Sequence, residues 1–507
     1  MRIILLEHPR RAAPDRCNDI ANTPLCSCLL SGYAAAVLGR DGHQAEIVDG
    51  YLERLSYADI MDRVAAMNPD ILAVHMVYNW EKNGPLFDFI EEVKGSLSSY
   101  VVAFGFYPTV AFREILESCP AIDAVIAGEP EIPMSCLAAS SLRHREVSAI
   151  PGLVTRDGSG GLIATPTDAI NDLDTVPFPV RTRGILSMGE INLLGSRGCY
   201  GRCTFCYVGT FFGRSPSWRG RSPENIAEEI DSLIAQTGSR DFYFTDANFF
   251  GPGTACQKRA MHMAQLLKER GIRFGIEGRV NDIHDETIER LVDAGLRHIL
   301  VGLESGRDES LSRLNKMTTV AQNEEAIRVL RRHAIEPNVG FIMFEPDSTL
   351  QDLRINLEFL KRNDLLRRLS VTANVLYHHQ IILQGTAAYG YLKSEGRLMR
   401  AGDSPYEGTT HFKERAVATL AGIMRRVTNT LFASFDDFWS GRLPEPAGAQ
   451  AAYGALNRLL VSVFEENLTI LESGETLTEG QASAIAEHSA REIEKTIEKA
   501  FRHAGIV

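Results

Sequence analysis

The sequence predicts an α/β protein made of two successive parallel sheets and closed by a helical region. Three observations support this. Short apolar strands alternate with amphipathic helices over residues 1–130, a proline-containing break follows, and a second strand–helix series runs from 190 to 376 before strand signals fade. Strands separated by helix-length segments form parallel sheets, because each crossover needs a helix to cover the sheet. A chain of 507 residues exceeds one ordinary core, and 44% hydrophobic with 23% charged residues is the composition of a globular protein.

In the first series the expected strands are 2–7 (RIILLE), 45–49, 71–77 (ILAVHMV), 100–105 and 123–127, with helices at 25–39, 57–66, 85–97 and 108–118. Ligands of such sheets bind beyond the carboxyl ends of the strands. Residues 151–166, PGLVTRDGSGGLIATP, read as a hairpin with a glycine-rich turn. Pro177 and Pro179 in DLDTVPFPVRTRG exclude helix and make this an extended linker. The expected division is therefore 1–145, a hairpin and linker at 146–186, a second unit at 187–411 and a helical region at 412–507. In the second unit strands are expected at 191–195, 241–245, 273–277, 298–303, 337–343 and 370–376, six βα units that curve into a partial (β/α)6 barrel.

Net charge is −12, which disfavours a large polyanionic partner, so no nucleic acid is expected. No apolar run approaches the ~18 residues that span a bilayer. The first apolar run, Ile3 to Leu6, is too short for a secretory core. Nine cysteines, an odd number, imply free or metal-bound thiols in a reducing compartment. A cytoplasmic location is the expectation.

The chemistry concentrates in GCYGRCTFCYVG, residues 198–209, where Cys199, Cys203 and Cys206 fall within eight positions. Thiolates suit zinc, copper(I) or iron–sulfur clusters. A structural zinc site takes four ligands, yet no other cysteine or histidine lies between His144 and Cys256. A cubane cluster on three cysteines keeps one iron open to a further ligand. A zinc knuckle and three unrelated core thiols are the plainer alternatives.

The C-x3-C-x2-C motif resembles that of the radical S-adenosylmethionine (SAM) superfamily. The resemblance implies a [4Fe–4S] cluster on Cys199, Cys203 and Cys206, with SAM chelating the open iron and yielding a 5′-deoxyadenosyl radical. Phe205 would pack near the adenine. YFTDANF at 243–249 resembles the segment that meets the SAM amino group, implying Thr245, Asp246 and Asn248. GIEGRVNDI at 275–283 implies Glu277 and Arg279 at the ribose or carboxylate, and VGLESG at 301–306 implies Glu304 and Ser305. The plainer readings are a helix cap for Asp246, a surface ion pair for Glu277 and Arg279, and a turn for Ser305.

The first unit resembles the Rossmann-like, flavodoxin-type cobalamin domain of the B12-dependent radical SAM group, through residues 23–50, VVAFGFYPT at 101–109 and DAVIAGEPE at 123–131. The resemblance implies corrin contacts from Gly105, Tyr107, Thr109 and Gly128. The D-x-H-x-x-G motif that carries a cobalt-ligating histidine is absent after the first strand, and DGHQAE at 41–46 mimics it in the wrong place. Tyr78, Asn79 and Trp80, after the third strand, are the residues expected near the lower face of cobalt.

Together these resemblances imply a methyltransferase using cobalamin as methylcobalamin. It would act on an unactivated sp3 carbon, or phosphinate phosphorus, of a small-molecule or natural-product substrate. An electron donor such as flavodoxin or ferredoxin would serve it. The alternative within the group is a cyclase or ring-rearranging enzyme without net methyl transfer. A tRNA methylthiotransferase would need a second cluster, for which Cys17, Cys26 and Cys28 are poorly spaced, and a sensor would need an output domain.

Overall fold

The computed structural model describes residues 1–10, 23–77, 84–213, 217–401, 404–439 and 449–503. Tyr78, Asn79, Trp80 and Cys17 therefore lie outside the described residues. The chain forms the α/β architecture the sequence predicts, two parallel sheets followed by helices.

The first sheet contains β1 (Arg2–Glu7), β2 (Gln44–Asp49), β3 (Ile71–His75), β4 (Tyr100–Phe104) and β5 (Ala124–Ile126), all parallel. Helices cover both faces, so β3 is buried along its whole length and β1 everywhere but its first residue, which explains their near-continuous apolar sequence. The hairpin at 151–166 does not stand apart. Its strands β6 (Leu153–Arg156) and β7 (Leu162–Ala164) extend the sheet antiparallel, in the order β2-β1-β3-β4-β5-β6-β7. Asp157 Oδ1 shapes the turn by accepting from the amides of Ser159 and Gly161, both at 2.8 Å.

The extended linker is fastened to both sheets. Thr182 Oγ1 donates to Asp49 Oδ2 at 2.9 Å, and the buried Arg181 guanidinium bonds Asn192 O at 2.7 Å and Glu229 Oε1 at 2.6 Å. Beyond it, β8 (Ile191–Leu193) opens the second sheet, and a short antiparallel ribbon follows from β9 (Ser196–Gly198) and β10 (Trp218–Gly220). The sheet continues through β11 (Asp241–Phe244), β12 (Arg273–Arg279), β13 (Leu296–Glu304) and β14 (Asn338–Phe341), parallel in the order β14-β13-β12-β11-β8.

The sixth strand expected at 370–376 is a helix, Leu369–Tyr377. A short apolar run with β-branched residues does not distinguish strand from buried helix. Here Leu369, Thr372, Ala373, Val375, Leu376 and Tyr377 are buried, and several of them pack in one core with the C-terminal helices. The sheet continues past β14 only as a parallel bridge between Phe344 and His379. The three long helices Arg415–Trp439, Ala449–Glu472 and Glu479–His503 share a single hydrophobic core with the second sheet. Trp439 stacks on the buried Phe435 at 5.4 Å, so the aromatics at 432–439 are core.

Candidate functional site

The three cysteines follow β9 in a loop held from beneath. Asp246, fully buried just past the end of β11, accepts from the Gly195 amide at 2.9 Å and from Ser196 Oγ at 2.5 Å. Burial pushes its carboxyl up to about 6, against these hydrogen bonds. Asn248 donates to Asp282 Oδ2 at 3.0 Å, and its carbonyl accepts from Trp218 Nε1 at 2.8 Å. Asp246 thus braces the loop through both carboxylate oxygens, while Asn248 spends its side-chain N–H on Asp282 and keeps a buried Oδ1 with no hydrogen-bond partner among the described residues; neither lines the cavity. Ser305 likewise bonds Asn356 Oδ1 at 2.9 Å and accepts from the Arg307 amide, which is the turn role. The sequence had grouped all three with the SAM-contacting residues.

The cysteines themselves, with Phe205, Thr245, Glu277, Arg279 and Glu304, line a single cavity of about 640 Å³. Arg279 organises this end. Its Nη1 lies 3.4 Å from Cys203 Sγ, its Nη2 donates to Lys316 O at 2.5 Å, and its guanidinium sits 5.1 Å from the Tyr200 ring centroid. Gly201 permits that approach, since a Cβ there would collide with the guanidinium. Glu277 receives only the Tyr243 hydroxyl, at 3.2 Å, and burial pushes its carboxyl up to about 8. Glu304 pairs with Lys316 Nζ at 2.7 Å. Lys316 was missed in the sequence. It lies ten residues beyond the VGLESG segment at 301–306, and nothing in its spacing indicated that it folds back onto Glu304.

The donor set fits a cluster better than a single ion. Three thiols are the donor set of a cubane cluster with one iron left open, whereas a structural tetrahedral zinc takes four ligands. Burial raises Cys199 and pushes Cys206 up to about 12. Such thiols ionise when a metal supplies positive charge. Cys199, Cys203 and Cys206 line this cavity together with Glu277 and Glu304.

The cavity is lined from the first unit as well. Leu29, Leu30, His75, Val77 and Phe106 line the same cavity. Phe106 packs edge-on against Tyr207 at 4.8 Å and lies 4.2 Å from Phe211, so an aromatic cluster closes the seam behind Cys206. The seam is also tied by charge. Arg197 of β9, two residues before Cys199, donates to Glu129 at 2.6 Å and Glu131 at 2.5 Å, and Arg219 of β10 reaches Glu129 at 2.9 Å. All four are buried. The corrin-side expectations fare differently. Gly105 and Gly128 adopt positive φ of 116° and 99°, and Thr109 Oγ1 joins them by donating to Gly105 O at 2.7 Å and accepting from Gly128 N at 2.9 Å. Tyr107 is buried in the first-sheet core, while its neighbour Phe106 faces the cavity, because the helix starting at Phe106 turns the two rings apart.

Residues 193–360 match the family model of the radical SAM superfamily. The chain carries a radical SAM domain. The cofactors of that superfamily are a [4Fe–4S] cluster and SAM, and Cys199, Cys203 and Cys206 fall inside the matched segment. Over 379 residues, 72% of this chain and 79% of its relative, the sequence is 26% identical to an uncharacterized methyltransferase of Pyrococcus horikoshii. It is 27% identical over 344 residues, 63% of this chain, to an anaerobic magnesium-protoporphyrin IX monomethyl ester cyclase of Rubrivivax gelatinosus, and spans 59% of that protein. The fold is that of OxsB, a cobalamin-dependent SAM radical enzyme solved with aqua-cobalamin and SAM bound. The TM-score is 0.78 at 19% identity, over 99% of this chain and 80% of that one. No helix among the described residues is long and apolar enough to cross a membrane.

Proposed function

We propose that the protein is a cobalamin-dependent radical SAM methyltransferase that methylates an unactivated sp3 carbon, or a phosphinate phosphorus, of a small molecule. One observation carries this reading. The carboxyl ends of both parallel sheets open onto one cavity, lined by the three cysteines and by residues at the first sheet's ligand-binding edge. When bound, a cluster with SAM supplies a deoxyadenosyl radical and cobalamin supplies a methyl group.

The chain's own residues hold and orient these groups. Cys199, Cys203 and Cys206 would hold the cluster, and Arg279 balances the charge of their thiolates. Phe205, Thr245, Glu277 and Glu304 are the candidates for SAM contacts. Glu277, protonated near neutral pH, donates a hydrogen bond where an ionised carboxylate would only accept. The aromatic seam of Phe106, Tyr207 and Phe211 excludes water.

The remaining wall supports an uncharged polar substrate. Asn338, Ser370, Asn374 and His378 line it, and burial draws the His378 imidazole down to about 4, which leaves it neutral. An electron donor of the flavodoxin or ferredoxin class would reduce the cluster.

The test is cofactor content followed by label transfer. Protein expressed anaerobically with cobalamin and reconstituted with iron and sulfide should carry about four iron and one corrinoid per chain. With methyl-deuterated SAM and candidate acceptors, a product gaining the label supports methyl transfer. Deoxyadenosine formed with a cyclised or rearranged product and no label would replace it with the ring-forming chemistry named for the Rubrivivax relative.

A further inference from the structure

We propose that Arg279 raises the reduction potential of the iron–sulfur cluster, through a charged N–H···S bond to Cys203, and so eases entry of the electron. The proposal rests on the cluster assignment above and is independent of cobalamin and of the substrate.

The hydrogen bonds to the cysteine sulfurs are of two kinds. Cys199 Sγ accepts from the Gly201 amide at 3.4 Å, a neutral donor. Cys203 Sγ accepts from Arg279 Nη1 at 3.4 Å, a charged one. Among the described residues no Asp or Glu pairs with this guanidinium. Its Nη2 donates to Lys316 O at 2.5 Å, and its Nε is buried with no hydrogen-bond partner. Asp282 feels the Arg279 charge but accepts instead from Tyr200 Oη at 2.9 Å and Asn248 Nδ2 at 3.0 Å. Lys316 is the other cation beside the thiols, but Glu304 answers its charge at 2.7 Å. Arg279 therefore carries the uncompensated charge.

Its position is built from three sides. Arg279 ends β12, and the Tyr200 ring lies 5.1 Å from the guanidinium. The carbonyl of Lys316 belongs to a turn that grips the cysteine loop. Thr204 N donates to Leu314 O at 2.9 Å, and Asn315 Nδ2 to Arg202 O at 2.7 Å. Asn315 and Met317, on either side of Lys316, adopt positive φ of 49° and 60°, and Asn281 Nδ2 holds the Met317 carbonyl at 3.1 Å. Such strained residues persist only where their surroundings fix them, and they gather at functional sites. On the third side Gly201 leaves the space, since a Cβ there would lie 2.2 Å from Arg279 Nη1.

The electrostatic consequence has one sign. Reduction adds a negative charge to a cluster that its thiolates already make anionic. A cation bonded to one sulfur therefore stabilises the reduced form more than the oxidised one. Arg279 is buried, where water and salt screen it little. Hydrogen bonds to sulfur, net charge and solvent exposure are the terms that set the potential of such clusters.

The test reads that potential. Full-length protein, reconstituted anaerobically with iron and sulfide and without SAM, is titrated reductively while electron paramagnetic resonance follows the reduced cluster. Arg279→Gln keeps a donor without the charge and should be roughly tenfold harder to reduce, a fall of about 59 mV. Gly201→Ala keeps the arginine but fills its place, and should lower the potential as well. A potential in Arg279→Gln equal to that of wild type overturns the proposal. In wild type carrying guanidino-¹⁵N arginine, pulsed measurements should show an arginine nitrogen coupled to the reduced cluster. If neither variant holds a cluster, this spectrum decides, and the absence of that coupling overturns the proposal. A wild-type protein that builds no [4Fe–4S] cluster overturns the cluster assignment itself, a different result from a cluster whose potential ignores Arg279.

Discussion

Glu277 lies in the wall of the cavity with a carboxyl held near 8 by burial, against an ordinary value of 4.5. In the cluster-free protein this has a definite sign. Between 4.5 and 8 the native state keeps a proton that the unfolded chain has lost. Stability therefore falls as pH rises through that window and levels off above it. Glu277→Gln should remove this component, and chemical denaturation of wild type and variant across the window would show their difference flat if the assignment is wrong. Cys203→Ala should abolish iron loading and deoxyadenosine formation together, measured by iron assay and product chromatography. A variant that keeps both would overturn the cluster assignment. At this scale the sequence was informative where spacing itself carries the chemistry, as in C-x3-C-x2-C. It was less informative for Asp246, Asn248 and Ser305. Motif position locates the end of a strand, but not whether a side chain there faces the cavity or the scaffold behind it.

Arg197 shows how one element fixes another. It leaves β9 just ahead of the cysteine loop and enters the first-sheet segment at Glu129 and Glu131. Removing one partner of a buried ion pair leaves an uncompensated charge and typically costs about 3–5 kcal/mol. Arg197→Ala should lose stability on that scale in denaturant titration and loosen the cluster, seen as faster iron release to a chelator. The helix Leu369–Tyr377 is the second case. It presents Ser370 and Asn374 to the cavity, with His378 just past its end, where the sequence had suggested a strand. Once a substrate is in hand, Asn374→Ala should raise KM about threefold to tenfold, the equivalent of one lost hydrogen bond, with little change in deoxyadenosine formation without substrate. Equal KM in the two proteins would remove Asn374 from the substrate wall. Five of the six predicted barrel strands were legible because their apolar runs sit between capped helices. The sixth was not, because a segment as short as 370–376 takes its conformation from what packs on it.

Across the whole molecule, the C-terminal helices are structural partners of the second sheet. Leu456, Leu460 and Phe464 belong to the same core as Leu357 and Leu360, and Arg354 pairs with Glu472 at 2.6 Å. Truncation after residue 411 should therefore expose a broad apolar face and give an aggregating protein, visible by size-exclusion chromatography and loss of cooperative unfolding. A soluble, cluster-loaded truncation would show instead that the helices are an independent cap.

The sequence alone determined the α/β class, the strand–helix alternation and the cysteine triad, because each is encoded in local periodicity or fixed spacing, and its motifs carried the resemblance to the radical SAM superfamily. The tertiary structure decided what depends on distant segments meeting. It joined the two sheets at one cavity, turned Asp246 and Ser305 into scaffold, paired Lys316 with Glu304 and set His75 against Glu7. Those pairs lie 12 and 68 residues apart in the chain, and their contacts arise only when strand ends converge. No window of sequence holds both partners of the longer pair in a recognisable pattern.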